Sequence, residues 1–269
     1  MEIILIILTS FLYSTAAFIF WIVKGGFNKR YLYTDNILLA VAISLFSVIL
    51  YKSGVAGLVS LILVFSPLIG FSLFVLLFLY RFFRNPQRII TTNPDEFVSP
   101  ADGRIIYIKE LEKGQIPVSV KKYRMANIEE ITKTRITEQP CYLIGIAMTL
   151  FDVHMNRAPI SGKVILVKHT PGEFLGLNKP ASTVVNERNT IVIQREDGVM
   201  TAVVQIAARY VRRCIVSVSE GDNVSHGAII GRIRWGSQAD LILPRNSEIL
   251  VREGEQVYAG KSVIAKLLV

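Results

Sequence analysis

Histidine and cysteine are scarce in this chain of 269 residues, which has three of the first and two of the second. Cys141 and Cys214 cannot form a disulfide framework; they fit a reducing compartment as buried thiols. No metal site is expected. No basic segment precedes the first apolar run and no small-x-small site follows it, which disfavours a cleaved signal peptide. No interleaved aromatic-basic motif occurs either. The net charge of +9 therefore points to an anionic lipid surface rather than to nucleic acid.

What the chain has in excess is apolar residues, 51% of the total, concentrated before residue 81. Residues 3–23 are long enough to span a bilayer core of about 30 Å as a helix. A second run, 37–51, is short for a span and a third, 55–80, is ample. The expectation is a transmembrane anchor over residues 1–80 with three helices, the alternative being two spans and a re-entrant segment. Pro67 and Gly70 should bend the third. Lys24, Lys29, Arg30, Arg81, Arg84 and Arg88 flank one side of the runs and only Lys52 the other. The positive-inside rule then sets the N-terminus outside and everything after residue 80 in the cytoplasm, in a multi-pass protein of the cell membrane. Residues 81–96 read as an interfacial linker, with Phe82 and Phe83 at the interface and the arginines reaching headgroups.

From residue 97 to 269 the pattern turns to short β-branched runs bounded by Gly, Pro, Asn or Asp, at 104–108, 141–148, 163–167, 190–194, 201–206 and 214–218. This predicts a mainly β (α+β) domain, with 125–137 a short helix or an exposed insertion. One repeat stands out. Glu220-Gly-Asp-Asn-Val-Ser-His-Gly227 and Glu253-Gly-Glu-Gln-Val-Tyr-Ala-Gly260 share Glu-Gly-acid-x-Val-x-x-Gly, a chain-reversing turn. Two such hairpins resemble the barrel-sandwich hybrid of biotinyl and lipoyl domains. No Met-Lys pair sits at a hairpin tip, so a swinging-arm carrier is disfavoured.

His226 lies in the repeat turn opposite Ala259 and reads as a solvated turn residue. His169, before Thr-Pro-Gly, is equally a structural or a pocket residue. His154 sits at a strand end in Phe151-Asp-Val-His-Met-Asn-Arg-Ala-Pro159, beside an Asp, an Asn and an Arg. Asp102, in Ser99-Pro-Ala-Asp-Gly103, is either a turn residue or the carboxylate that orients a histidine. Gly236-Ser237 is by default a turn between strands. With a base, Ser237 can instead attack the Gly236 carbonyl, where glycine tolerates a strained backbone.

Taken together, Phe82-Phe-Arg-Asn-Pro-Gln-Arg88, Ser99-Pro-Ala-Asp-Gly103, Phe151–Pro159, Asn186-Glu-Arg-Asn189 and Ile233-Arg-Trp-Gly-Ser-Gln-Ala-Asp240 resemble the phosphatidylserine decarboxylase family, in its shorter bacterial and archaeal-like branch. The resemblance implies a pyruvoyl enzyme made by self-cleavage between Gly236 and Ser237. His154, held by Asp102, would deprotonate Ser237. An N-to-O acyl shift, β-elimination and loss of ammonia would follow, leaving the pyruvoyl group at position 237. That group holds the substrate amine as a Schiff base and takes up the electrons left by CO2. The two pieces stay associated, and a homo-oligomer is compatible with the reading. Two departures from the family pattern occur. Phe151 stands where the longer branch has a second histidine assigned to decarboxylation, so His154, Asp152 or water handles the proton, or Phe151 shapes the pocket. Ala208 stands where a Gly is usual. Phe151, His169, Lys179 and Arg188 are candidate substrate contacts, Lys179 and Arg188 toward the lipid phosphate. The implied reaction converts phosphatidylserine to phosphatidylethanolamine. Another serine-headed lipid such as archaetidylserine is the near alternative, and a non-catalytic membrane-tethered biotinyl-like scaffold the distant one.

Overall fold

The computed structural model describes residues 1–25, 29–90, 93–112, 115–117, 125–127, 140–149, 151–173, 175, 182–207, 214–233 and 237–268, and only the backbone of residues 24, 25, 31, 32, 115–117, 125–127, 183, 184 and 237. The chain forms two compact units: Met1–Arg84 with Thr149–Phe151, and Asn85–Met148 with Asp152–Val269.

The first unit is helical. α1 (Glu2–Gly25) is followed by the short α2 (Arg30–Tyr33), α3 (Asp35–Lys52), α4 (Leu58–Ser60), a π-helical turn (Leu61–Phe65) and α5 (Ser66–Phe83). Three helices, Glu2–Val23, Asp35–Lys52 and Leu58–Phe83, are long and apolar enough to cross a membrane. The wide turn at 61–65 ends two residues before Pro67, whose missing N–H and bulky ring disrupt the preceding helical ladder; a π-turn absorbs such a break without ending the helix. Asp35 pairs with Arg81 at one end of the bundle and Tyr51 donates to Glu2 at the other. These contacts run α1, α3 and α5 alternately up and down. Phe18, Phe74, Phe78 and Phe151 form one aromatic cluster between them.

The second unit is β-rich. Its strands are β1 (Glu96–Val98), β2 (Gly103–Leu111), β3 (Gln115–Pro117), β4 (Met125–Asn127), β5 (Cys141–Met148), β6 (Met155–Arg157), β7 (Gly162–Thr170), β8 (Arg188–Gln194), β9 (Met200–Ile206), β10 (Cys214–Val216), β11 (Asn223–Val224), β12 (Ile229–Ile233), β13 (Ser237–Pro244), β14 (Ser247–Ile249), β15 (Gln256–Val257) and β16 (Val263–Leu267). A short helix, α6 (Ser182–Val185), precedes β8. Eight strands make an antiparallel sheet, order β11-β7-β8-β9-β13-β5-β2-β15, curled as a half-barrel. Of the short helix or exposed insertion expected at 125–137, residues 125–127 form the strand β4, paired with β3, and not a helix; residues 128–137 lie outside the described set.

The central strands bury both faces. Ile144, Ile146, Ile191, Val203, Ala239 and Leu241 enter the larger core on one side. Leu143, Val192, Ala202, Val204 and Ile242 enter a smaller core on the other. Period-two alternation of β-branched residues thus covers both faces of the sheet.

The two repeat hairpins close opposite edges of this sheet in the same way. β11 pairs with β7 and β15 with β2. Gly221 N donates to Val164 O and Gly254 N to Ile105 O, while Gly227 N donates to Ala158 O and Gly260 N to Ser99 O. The first Glu of each repeat accepts a strand amide, Glu220 from Val167 and Glu253 from Ile108. Val98 N donates to Pro159 O, and Arg157 N to Pro100 O. Ser99–Gly103 and Ala158–Gly162 are therefore equivalent turns, a second repeat that the sequence reading did not pair.

Candidate active site

β6 and β12 lie side by side, Met155 opposite Arg232, and Ile233 N donates to the carbonyl of His154 at 3.1 Å. Ile233 is followed, after three residues outside the described set, by Ser237 at the head of β13. Ser237 in turn faces Met148, the last residue of β5. His154 is thus held next to the segment that enters the Gly-Ser bond, and the strand facing Ser237 leads back to it within a few residues. Gly236 and the Ser237 side chain are outside the described set, as are Lys179 and Ala208.

His154 is 4% exposed. Its Nδ1 is 2.8 Å from the carbonyl of Asp152. A carbonyl only accepts, so Nδ1 carries the proton and the neutral ring presents its lone pair on Nε2. Burial pushes the ring down to about 4, against smaller opposing effects of the Asp152 carbonyl and the Asp102 charge. At neutral pH His154 is an unprotonated base.

Asp102 does not bond the imidazole. One carboxylate oxygen accepts from Ala259 N at 2.8 Å and the other from Val153 N at 3.4 Å. Both accept from Arg88, at 2.6 and 2.9 Å, in a bidentate pair. The carboxylate reaches His154 through the peptide before it and through its charge. The linker arginines, expected at lipid headgroups, each have a protein acceptor: Asp35 for Arg81, Phe151 O for Arg84, and Asp102 with Ala259 O for Arg88. Arg88 is enclosed, its bidentate carboxylate pair fixing the guanidinium inside the β unit.

Of the candidate substrate contacts, Phe151 is fully buried in the helical unit. His169 is exposed on β7 with Nδ1 2.8 Å from Asn189 Oδ1. Arg188 is fully enclosed, neither on an open face nor solvated. Its guanidinium donates to Asn186 O at 3.0 and 2.9 Å, and burial lowers it to about 10 despite the favourable charge of Asp240. His226, expected to be solvated, is half-buried, with Nε2 2.8 Å from Glu96 O and Nδ1 3.2 Å from Ser161 Oγ. Cys141 and Cys214 are free and buried.

Two buried polar clusters escaped the sequence reading. On one sheet face, Tyr107 donates to Asp240 Oδ2 at 2.8 Å. Gln238 Nε2 lies 2.6 Å from Asp240 Oδ1 and 2.7 Å from Tyr107 Oη. Burial raises Asp240 to about 6, offset in part by these bonds. On the other face, Asn189, Gln205 and Asn156 form a chain. The available signal was polar side chains at alternate positions of otherwise apolar strands, as at Gln238 and Asp240. A cavity of 330 Å³ lined by Ile242, Leu243 and Pro244 lies at the far end of β13 from Ser237, away from this chemistry.

The family profile of phosphatidylserine decarboxylase matches residues 75–265. A protein of Methanocaldococcus jannaschii, provisionally named archaetidylserine decarboxylase proenzyme, is 40% identical over 191 residues, covering 71% of this chain and 90% of its own. Phosphatidylserine decarboxylase proenzymes of Geotalea uraniireducens and Mycolicibacterium vanbaalenii are 35% and 39% identical, covering 79% and 69% of this chain and 92% and 72% of their own. The chain belongs to the phosphatidylserine decarboxylase family.

Proposed function

We propose that this chain is a membrane-anchored decarboxylase that converts phosphatidylserine to phosphatidylethanolamine after cutting itself between Gly236 and Ser237. Family membership supports the activity. The single observation that supports the chemistry is the neutral, buried His154 beside the strand entering the Gly-Ser bond.

In this reading His154 Nε2 takes the Ser237 hydroxyl proton while the serine oxygen bonds to the Gly236 carbonyl carbon. The Gly236–Ser237 C–N bond breaks, and the proton passes to the departing amine, leaving an ester. Loss of the Ser237 α-proton then breaks the Cβ–O bond and frees the Gly236 carboxylate. Water replaces nitrogen at position 237, releasing ammonia. The residues suit a group made this way, because burial in the folded chain leaves the base unprotonated before any substrate binds. The pyruvoyl carbonyl supplies the electron sink that amino-acid decarboxylation requires. Asp102, fixed by Arg88, stabilises the transient charge on His154. The naming of the relatives as proenzymes agrees with such processing.

The same reading takes the two equivalent turn-and-hairpin halves as a barrel-sandwich hybrid that keeps both pieces together. It takes residues 1–80 as the anchor, 81–96 as the linker and 97–269 as the catalytic domain on the cytoplasmic side of the cell membrane. The relative named for archaetidylserine favours a second lipid with the same serine head. Decarboxylation assays on both lipids separate the two. Intact-mass measurement of the purified full chain, with Ser237→Ala beside it, tests the whole. Two species split at 236–237 are expected, and only the uncut chain in the variant. One uncut 30.1 kDa species in the unmutated protein would overturn the reading in favour of a non-catalytic scaffold.

A further inference from the structure

Gln205 is fully buried in β9. Its backbone neighbours across the sheet are Asn189 in β8 and Ala239 in β13, and Ala239 is two residues beyond Ser237. Its side chain leaves the sheet for a different strand. Nε2 donates to Asn156 Oδ1 at 2.9 Å and to Ile215 O at 3.4 Å, and Oε1 accepts from Asn189 Nδ2 at 3.0 Å. Asn156 lies in β6, two residues after His154, and its Nδ2 donates to Pro100 O at 3.3 Å. Pro100 begins the turn that ends in Asp102.

The donors in this chain all run one way, from His169 through Asn189, Gln205 and Asn156 to Pro100. Each amide therefore has one orientation, and reversing any of them would set oxygen against oxygen. Such fully satisfied networks rigidify the elements they join. Gly231 makes room for it. A Cβ there would lie 2.7 Å from Gln205 Nε2 and 2.4 Å from Ile215 O, so any larger residue at the β12 position opposite Asn156 would displace the amide.

We propose that Gln205 is a positioning residue for self-cleavage, the bridge that fixes the strand carrying Ser237 against the strand following His154. The inference rests on the roles of His154 and Ser237 given above. A reaction between two groups on separate strands depends steeply on their separation, and a misplacement of about 1 Å costs on the order of 10²-fold. Backbone pairing alone does not join β6 to β13, because β6 belongs to a different sheet.

The test compares first-order self-cleavage of the full-length chain in lipid nanodiscs, followed by intact mass, for the wild type, Gln205→Met, Gln205→Glu, Thr201→Val and His154→Ala. Thr201 is the matched control. It is buried in the same strand, and its Oγ1 bonds Ile242 O across to β13 at 2.8 Å, far from Ser237. Gln205→Met and Thr201→Val are expected to lower thermal stability to similar extents, but only the former should slow cleavage, by tenfold or more. In Gln205→Glu the protonated acid keeps the acceptor for Asn189 and one donor for Asn156, losing only the longer bond to Ile215 O, and the carboxylate keeps no donor. Its cleavage should therefore be slow at pH 8 and recover toward pH 5.5, where the wild type is unchanged. Cleavage of Gln205→Met within twofold of wild type, equal slowing in Thr201→Val, or a wild-type pH profile in Gln205→Glu overturns the inference. If His154→Ala cleaves normally, the assignment of the base fails and the positioning role falls with it.

Discussion

Asp102 and Ser161 occupy equivalent places in the two halves of the β unit. Asp102 Oδ1 accepts from Ala259 N at 2.8 Å, and Ser161 Oγ accepts from His226 N at 2.9 Å. A serine suffices to cap this turn, so the charge at 102 is not needed for the cap. What the carboxylate adds is the Arg88 pair and a field on His154.

The double variant Asp102→Ser/Arg88→Met should keep the fold and lose self-processing. Removing both members of a buried pair is close to neutral for stability, and the serine retains the cap. Thermal melting should shift by only a few degrees, while the cleavage rate falls roughly 10²-fold, the scale of one acid–base contribution. An unaltered cleavage rate would show that the carboxylate is a turn residue and nothing more.

Arg88→Met alone should be worse for stability than the double variant. It leaves the Asp102 carboxylate, 3% exposed, without its counter-ion, a change that costs about 3–5 kcal/mol. Chemical denaturation of the single and double variants gives the coupling directly. Additive losses would mean that the pair is energetically inert.

Self-cleavage should be flat with pH well into the acid range. Burial holds His154 near 4 against an ordinary 6.5, so the base stays unprotonated down to about pH 5. The rate should reach half its plateau near pH 4. A midpoint near 6.5 would mean that the ring is solvated when it acts.

Stability should respond to pH through two opposed groups. His154 has a folded value of about 4, below its unfolded 6.5. Its contribution is present above 6.5 and lost as pH falls toward 4. Asp240 has a folded value of about 6, above its unfolded 3.8. Its contribution is present below 3.8 and lost as pH rises through 6. Each spans roughly 3 kcal/mol at full effect, so the wild type should vary little between pH 4 and 6.5. Asp240→Asn should make stability rise with pH in that window, and His154→Asn should make it fall. Parallel curves for the two variants would contradict these assignments.

Cys141 and Cys214 should resist maleimide at pH 8 in the folded protein and react on unfolding. Burial drives both thiols up to about 12, which removes the reactive thiolate. Rapid native labelling of either would place it in solvent.

The helices were legible because a bilayer imposes length and apolarity on every residue of a span. The β domain was legible because alternation and turn residues are local signals. The Glu-Gly-acid-x-Val-x-x-Gly hairpins could be paired by eye, yet their partners Ser99–Gly103 and Ala158–Gly162 could not. The side chain at the shared capping position differs, Asp in one and Ser in the other, and the likeness lies in backbone hydrogen bonds. Arg88 read as a headgroup contact because sequence shows a charge beside a membrane segment and not the carboxylate that folding sets against it.

By itself the sequence determined three apolar helices long enough to cross a membrane, the β character of the rest and a short set of candidate residues, since each follows from local composition and residue type. Tertiary structure decided which of them lie together. It gave His154 its tautomer through the Asp152 carbonyl and its low proton affinity through burial. It turned Arg88 onto Asp102, enclosed Arg188, and ran a line of amides from His169 to Pro100 through Gln205. These are relations between residues far apart in the chain. Their energies depend on burial and distance, which exist only once the sheet has closed.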